Sequence, residues 1–192
     1  MSTIVYYAQL NDFDEVRPVP SSDRERQLVD DVEAVKKQRR LAWYALSAAA
    51  DKFAEQHRCA KPELRLDGTK WTAKTAFVSV AHCEGVVCAA VSDMPVGIDC
   101  EPSCRTVNPK IVDRTALPQE IQTIDASTNN ALLRFWTAKE AAFKASNDSD
   151  VHTVSQADTT KFCITYAEFC DTLLAVATKQ PTVAFFRLDK LH

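Results

Sequence analysis

Val96-Gly97-Ile98-Asp99-Cys100-Glu101 places a single glycine among apolar residues and then spaces two acids two positions apart. The pattern predicts a strand that emerges from a core and ends in two carboxylates. Successive strand side chains alternate faces, so Asp99 and Glu101 point one way while Ile98 and Cys100 point the other. Two like charges side by side repel, and the end of a strand has no structural need of them. A hard divalent cation with oxygen ligands would offset that repulsion. Simple solvation of a strand end is the plain alternative. What decides between them lies downstream, in the segment from Trp136 to Lys144.

Working upstream, Met94-Pro95 joins this strand to Val86–Val91, an almost wholly apolar run that predicts a buried strand. Glu84-Gly85 is a turn, preceded by a strand from Phe77 to Ala81 that runs into His82. At such a junction a polar side chain can face a cleft or be satisfied structurally. Asp67-Gly68 signals another turn, and Lys61-Pro62 follows a long helical stretch, with Pro62 disfavouring helix at the residue before it. In that stretch Leu28, Val32, Val35, Ala42, Leu46, Ala49 and Phe53 recur at helical steps. Its length predicts a break near the Lys36–Arg40 cluster. Arg39 fills the missing place in the stripe, either snorkelling to solvent or kept to bind an anion. Ser22 and Glu25 suit a capping box, after a strand over Thr3–Leu10 and a polar connection over Asn11–Pro20.

Downstream, residues 102–128 read as a connection with one short helical piece around Gln119–Ile124. Asn129–Ala145 is the second strong helix, capped by Thr128 or Asn129. At about 100° per residue Glu140 falls between Trp136 and Leu133, within the apolar face. Burying a carboxylate there is costly without a cation or donors to compensate. Lys144 lies four residues on and reaches the same side; as a mere surface pair it would contribute only ~0.3–0.5 kcal/mol. Ser146–Asp150 closes the helix as a polar loop. Lys161–Phe169, Thr172–Thr178 and Thr182–Leu188 then predict a strand meander. The order strand, helix, strands, then helix, strands predicts an α+β protein of two similar lobes, 1–95 and 96–192. Each would be a small antiparallel sheet on a long helix, with a pseudo-twofold relation and one active site between them.

Composition narrows the function classes. The chain has 192 residues, 46% hydrophobic and 26% charged, enough for one good core or two small lobes sharing one. Its net charge of −3 offers no global field for nucleic acid, so an anionic ligand must be held by a local cluster. No apolar run reaches membrane-spanning length, and the N-terminus lacks the plan of a signal peptide. Seven scattered cysteines without a C-x-x-C pair argue against a disulfide framework or a zinc site, and for reduced thiols in the cytoplasm. Three glycines exclude a glycine-rich phosphate loop, so any nucleotide would be held by side chains.

The Val96–Glu101 string, followed by Phe135-Trp136-Thr137-Ala138-Lys139-Glu140-Ala141-Ala142-Phe143-Lys144, resembles the two signature motifs of the 4′-phosphopantetheinyl transferase superfamily, G-[IV]-D-x-E and W-[ST]-x-K-E-[AS]-x-x-K. Length and single-chain arrangement resemble the monomeric, two-lobed subfamily rather than the short trimeric synthases. Ser79-Val80-Ala81-His82 is similar to that subfamily's upstream Ser-His motif, and Ala60-Lys61-Pro62 to its Gly-Lys-Pro. Two residues depart from the pattern: Ala81 stands where serine is usual, and Ala60 where glycine often is.

The resemblance implies transfer of the phosphopantetheine arm of coenzyme A to a serine of an apo-acyl or peptidyl carrier protein, releasing 3′,5′-ADP. Attack of an alcohol on a diphosphate calls for Mg²⁺, a proton acceptor and cations. By the same resemblance Asp99, Glu101 and Glu140 would ligate Mg²⁺, and Glu140 would be the general base. Lys144 and His82 would contact the coenzyme A phosphates. Lys61 and Pro62 would line the adenosine side, with Arg24 or Arg39 serving the 3′-phosphate. Carrier domains present acidic helices to this family, which implies a basic or apolar docking surface between the lobes. Two other classes stay open: a catalytically inactive coenzyme A or carrier-protein binding protein, and an unrelated Mg²⁺-dependent nucleotide hydrolase. Coenzyme A turnover without a carrier protein would mark the hydrolase.

Overall fold

The computed structural model describes residues 2–20, 22–124, 126–146 and 150–189, residues 22 and 23 by backbone only. In chain order, β1 (Thr3–Gln9) is followed by α1 (Ser22–Gln27) and α2 (Glu33–His57). A hairpin of β2 (Leu64–Asp67) and β3 (Lys70–Ala73) turns through Gly68 at φ +57°. Three strands come next: β4 (Phe77–Cys83), β5 (Val86–Ser92) and β6 (Val96–Pro102). Two short helices, α3 (Lys110–Thr115) and α4 (Pro118–Ile121), lead to α5 (Asn129–Ala145). The chain closes with β7 (Cys163–Phe169), β8 (Thr172–Thr178) and β9 (Val183–Arg187).

The fold is α+β, layered as helix, sheet, sheet, helix. One sheet has the order β4-β5-β1-β9 and the other β6-β8-β7, with the β2-β3 hairpin apart. The strand alternation builds the layers. In β5, Val87, Ala89 and Val91 join the core beneath α2, while Val86, Cys88 and Ala90 face the other way. There they meet Val96, Ile98 and Cys100 of β6 and Leu174 and Val176 of β8. On the opposite face of β8, Ala175 and Ala177 pack against Ala141, Ala142 and Ala145 of α5. Central strands β5 and β8 are buried along their whole length because both faces are covered.

Three expectations are corrected. The break in the first helical stretch falls at residues 28–32, not at Lys36–Arg40. Arg39 pairs with Asp31 at 2.8 Å and Arg40 with Glu25 at 2.7 Å, so the basic cluster staples α1 and its exit to α2 instead of parting a helix. Glu25 also accepts the Val19 N–H. The side chain of Ser22, on which the expected capping box depends, is not described, and part of the expected Ser146–Asp150 loop lies outside the described residues. Residues 102–128 hold two short helices rather than one, the second with Pro118 in its first turn, where a missing N–H costs nothing.

The third correction concerns the C-terminal strands. β7 and β8 form an antiparallel pair with β6, but β9 leaves the meander and pairs parallel with β1. Thr3 donates to the Thr182 carbonyl at 3.0 Å and Leu188 to the Tyr7 carbonyl at 2.8 Å. The open edge of β1 thereby gains a partner, and Phe186 stacks on Tyr6 with ring centroids 5.2 Å apart.

Candidate active site

Gly97 sets the geometry. A Cβ there would sit 2.0 Å from the Ala141 carbonyl oxygen and 2.4 Å from the Ala145 nitrogen. Strand β6 therefore lies against the bare backbone of α5, an approach open to glycine alone. Two residues further along the same face, Asp99 meets α5 as well: its Oδ1 accepts from Lys144 Nζ at 2.8 Å. Glu101, on the same face again, is paired with Arg105. Ile98 and Cys100 point into the seam between the sheets. Thr128 holds the start of α5, its side chain accepting the Ala131 N–H.

Three carboxylates thus share one region. Glu140 is half-buried, and burial pushes its carboxyl above the usual range, reinforced by the charge of Asp99 and opposed by Lys144. Asp99 is likewise raised by burial, against the pull of Lys144 and with a push from Glu101. The donors are all carboxylate oxygens, which suits a hard divalent cation in chemistry. As placed they do not converge: among the described residues no group of three or more His, Cys, Asp or Glu stands close enough to hold a metal ion. Two of the carboxylates are instead neutralised by protein cations, Asp99 by Lys144 and Glu101 by Arg105.

Beside the acids lies a cavity of about 270 Å³ whose walls include Arg24, Arg39, Trp71, Ser79, His82 and Lys144. α1 and α2 bring the arginines, β3 the tryptophan, β4 the histidine and α5 the lysine. Arg24 is buried, its guanidinium 5.8 Å from the centroid of the Trp71 ring. Burial and then the neighbouring Arg39 push its pKa down. His82 is held below the usual imidazole range by partial desolvation, then by Lys144 and Arg39. Ser79 Oγ accepts the Ile98 N–H at 3.1 Å and ties β4 to β6 across the seam. Ala81 is buried in that seam, where a methyl group packs and no hydroxyl is called for.

The structure therefore brings Arg24, Arg39, His82 and Lys144 to one cavity and sets Asp99, Glu101 and Glu140 next to it. It does not bring Lys61 there. The Lys61 ammonium donates to Asp51 at 2.8 Å and to Ser47 at 2.9 Å, both on α2, and Pro62 beside it is buried.

One polar residue of the second motif escapes a reading by helical face alone. Lys139 is fully buried, its ammonium 2.9 Å from Glu120 Oε2 and also bonded to the Ala157 carbonyl. Glu120 accepts further from Leu117 N at 2.7 Å, Thr159 N at 2.8 Å and Thr159 Oγ1 at 2.6 Å. Every group in this buried network has a partner, and it pins α4 and the 157–159 segment to α5. The signal was present: Lys139 interrupts an apolar stripe of Phe135, Ala138 and Ala142, as Arg39 does in α2.

Residues 95–172 match the family model described as the 4′-phosphopantetheinyl transferase superfamily. The matched span runs from the residue before β6 to the first residue of β8 and holds Gly97, the three carboxylates, the Lys139–Glu120 pair and Lys144. No curated protein matches the chain at a significant level.

Proposed function

Because residues 95–172 match the 4′-phosphopantetheinyl transferase superfamily model, we propose that this chain transfers the phosphopantetheine arm of coenzyme A to a serine of an apo-carrier protein. The observation that carries the proposal is the seam made by Gly97, which sets Asp99 and Glu140 beside Lys144 at the mouth of a cationic cavity. Arg24, Arg39, His82 and Lys144 bind and orient the phosphates of coenzyme A. Glu140, half-buried beside Asp99 and Lys144, accepts the proton of the attacking serine. The serine oxygen forms a bond to the pantetheine-side phosphorus, the bond to the bridging oxygen breaks, and 3′,5′-ADP leaves with that electron pair. Lys144 stabilises the charge on the transferring group.

Asp99, Glu101 and Glu140 would hold Mg²⁺, Asp99 and Glu101 on release from Lys144 and Arg105. The ion, when bound, supplies neutralisation of the diphosphate. Both walls of the cavity come from the same chain, which supports a monomer. All seven cysteines are free thiols, which fits a reducing compartment, the cytoplasm. No helix of the described residues is long and apolar enough to cross a membrane.

Mass spectrometry of an apo-carrier protein incubated with this chain, coenzyme A and Mg²⁺ tests the proposal. A gain of one phosphopantetheine is expected. The competing reading is a protein that binds coenzyme A or carrier without transfer, and the ties of Asp99 and Glu101 to protein cations are what favour it. Binding of coenzyme A with no gain in carrier mass would decide for that reading.

A further inference from the structure

Three thiols that the transfer chemistry does not use meet in the seam between the sheets. Cys83 ends β4, Cys88 lies in β5 and Cys100 in β6, and all three pack in the apolar cluster around Ile98. Cys88 and Cys100 are buried, while Cys83 is half-buried just before the Glu84-Gly85 turn. Strand alternation puts Ser79, Ala81 and Cys83 on one face of β4, the face on which Ser79 Oγ accepts the Ile98 N–H at 3.1 Å. The Cys100 thiol is in hydrogen-bond contact with those of Cys83 and Cys88. Thr172 Oγ1 lies 3.9 Å from the Cys83 sulfur, and Gln38 Nε2 donates to the Cys83 carbonyl at 3.2 Å. Packing alone would be served by small apolar residues, as at Val86 and Ala90 of the same cluster. The places of two thiols in the chain give them a second bearing. Cys83 directly follows His82, and Cys100 stands between Asp99 and Glu101.

We infer that Cys83 and Cys100 form a reversible disulfide on exposure to a peroxide, and that this bond switches the active site off. The effect on activity rests on the transfer reading above; the bond itself does not. Cys83 reacts first, because it alone of the three reaches solvent. Its sulfur attacks one peroxide oxygen, the O–O bond breaks, and a sulfenic acid and water result. The Cys100 sulfur then attacks the Cys83 sulfur, the S–O bond breaks, and a second water leaves with the Cys100 proton. Two thiols thereby lose two electrons and two protons to one peroxide. The Cys100 thiol, then burial, hold the Cys83 proton tightly, so the bond forms slowly and answers sustained oxidant rather than a brief pulse. Once made, it joins the two sheets covalently, β4 beside His82 to β6 between the two acids. Asp99 and Glu101 are tied to Lys144 and Arg105 and must shift toward Glu140 to share a cation. A β6 fastened to β4 opposes that shift.

Hydrogen peroxide treatment of the reduced protein, followed by thiol blocking and peptide mapping without reductant, tests the bond. Transfer to an apo-carrier protein, before and after dithiothreitol, tests the switch. A Cys83–Cys100 peptide pair is expected, with transfer at least about tenfold lower and restored by dithiothreitol. Cys83→Ser, a one-atom change, should transfer at the wild-type rate when reduced and keep that rate in peroxide. If it fails to fold, Cys100→Ala takes its place in the same comparison. Pairing of Cys88 with Cys100, or oxidation confined to the exposed Cys59, Cys104 and Cys163, overturns the inference. So does an equal loss of transfer in wild type and Cys83→Ser. A Cys83–Cys100 bond in a chain that modifies no carrier even when reduced keeps the thiol site, but sinks the transfer reading and the switch built on it. Transfer by the reduced protein with no such bond under peroxide does the reverse: the transfer reading stands and the thiol site falls.

Discussion

Gly97 of β6 lies against the carbonyl of Ala141 on α5 so closely that a methyl carbon in place of its hydrogen would come within 2.0 Å of that oxygen. The neighbouring atoms are backbone, so no side chain can swing aside. Gly97→Ala must therefore lift the helix off the strand, at a cost of about 3 kcal/mol or more, the upper end of overpacking. Because Lys144 and Glu140 ride on that helix, transfer should fall more than stability alone explains. Denaturant unfolding and transfer rates, both at a temperature where the variant remains folded, check this; a stable and active Gly97→Ala would refute the role assigned to the seam.

Lys144→Ala should separate catalysis from folding. Its ion pair with Asp99 is partly exposed, so its loss should change stability by under about 1 kcal/mol. The loss of charge stabilisation should cost ~2–4 kcal/mol of barrier, read as kcat/KM. Unfolding of the variant, with full activity in whatever stays folded, would make the lysine a structural residue.

Three variants divide metal binding from base chemistry. Asp99→Ala and Glu101→Ala should recover part of their rate as Mg²⁺ is raised. Glu140→Gln keeps an oxygen that can ligate but loses its basicity, so its defect should persist at saturating Mg²⁺ while coenzyme A still binds. Recovery of Glu140→Gln to the same extent as Glu101→Ala would remove the base role.

His82 provides a pH signature. Burial and the cations around it depress its pKa in the free protein, so it is neutral at pH 7. A bound phosphate favours the imidazolium, so coenzyme A binding should take up a proton at this site. The protonation of the ligand's own phosphate works in the opposite direction as pH falls. The difference between wild type and His82→Gln therefore isolates the histidine: wild-type affinity should gain relative to the variant between pH 7 and 6. Calorimetry in buffers of different ionisation enthalpy measures the proton uptake, and identical uptake in both proteins would remove His82 from the phosphate site.

The Lys139–Glu120 pair should behave as a buried unit. Lys139→Met or Glu120→Gln alone leaves one uncompensated charge and should cost about 3–5 kcal/mol. Lys139→Met/Glu120→Gln leaves none and should cost clearly less than the sum, as a double-mutant cycle from denaturant unfolding would read. Additive losses would mean that the two charges do not depend on each other.

What was legible in the sequence is what local rules govern. The bounds of α5 follow from its periodicity and from Thr128, and the opposed directions of Asp99 and Ile98 follow from strand alternation. Arg24 and Arg39 reach the cavity cluster through family resemblance, helped by the gap Arg39 leaves in an apolar stripe. The rest depends on partners distant in sequence. Nothing near Val183–Arg187 states which sheet edge it joins, and the break at residues 28–32 is held by ion pairs reaching across it. Lys61 precedes a proline as the resemblance requires, yet Asp51 and Ser47 on the last turns of α2 hold it. Glu120 is nineteen residues from Lys139, so no helical wheel could supply the partner that makes a buried lysine tolerable.

The parallel pairing of β9 with β1 has a bearing on biosynthesis. These strands come from opposite ends of the described chain, so the first sheet cannot be finished until nearly all of it has left the ribosome. Until then the emerging β1 presents a bare, apolar hydrogen-bonding edge to the crowded cell interior. Pairings of such long sequence separation also form late and slowly. Nascent chains stalled before residue 183 should therefore be sticky and protease-sensitive even though α5 and both acidic motifs have already been made.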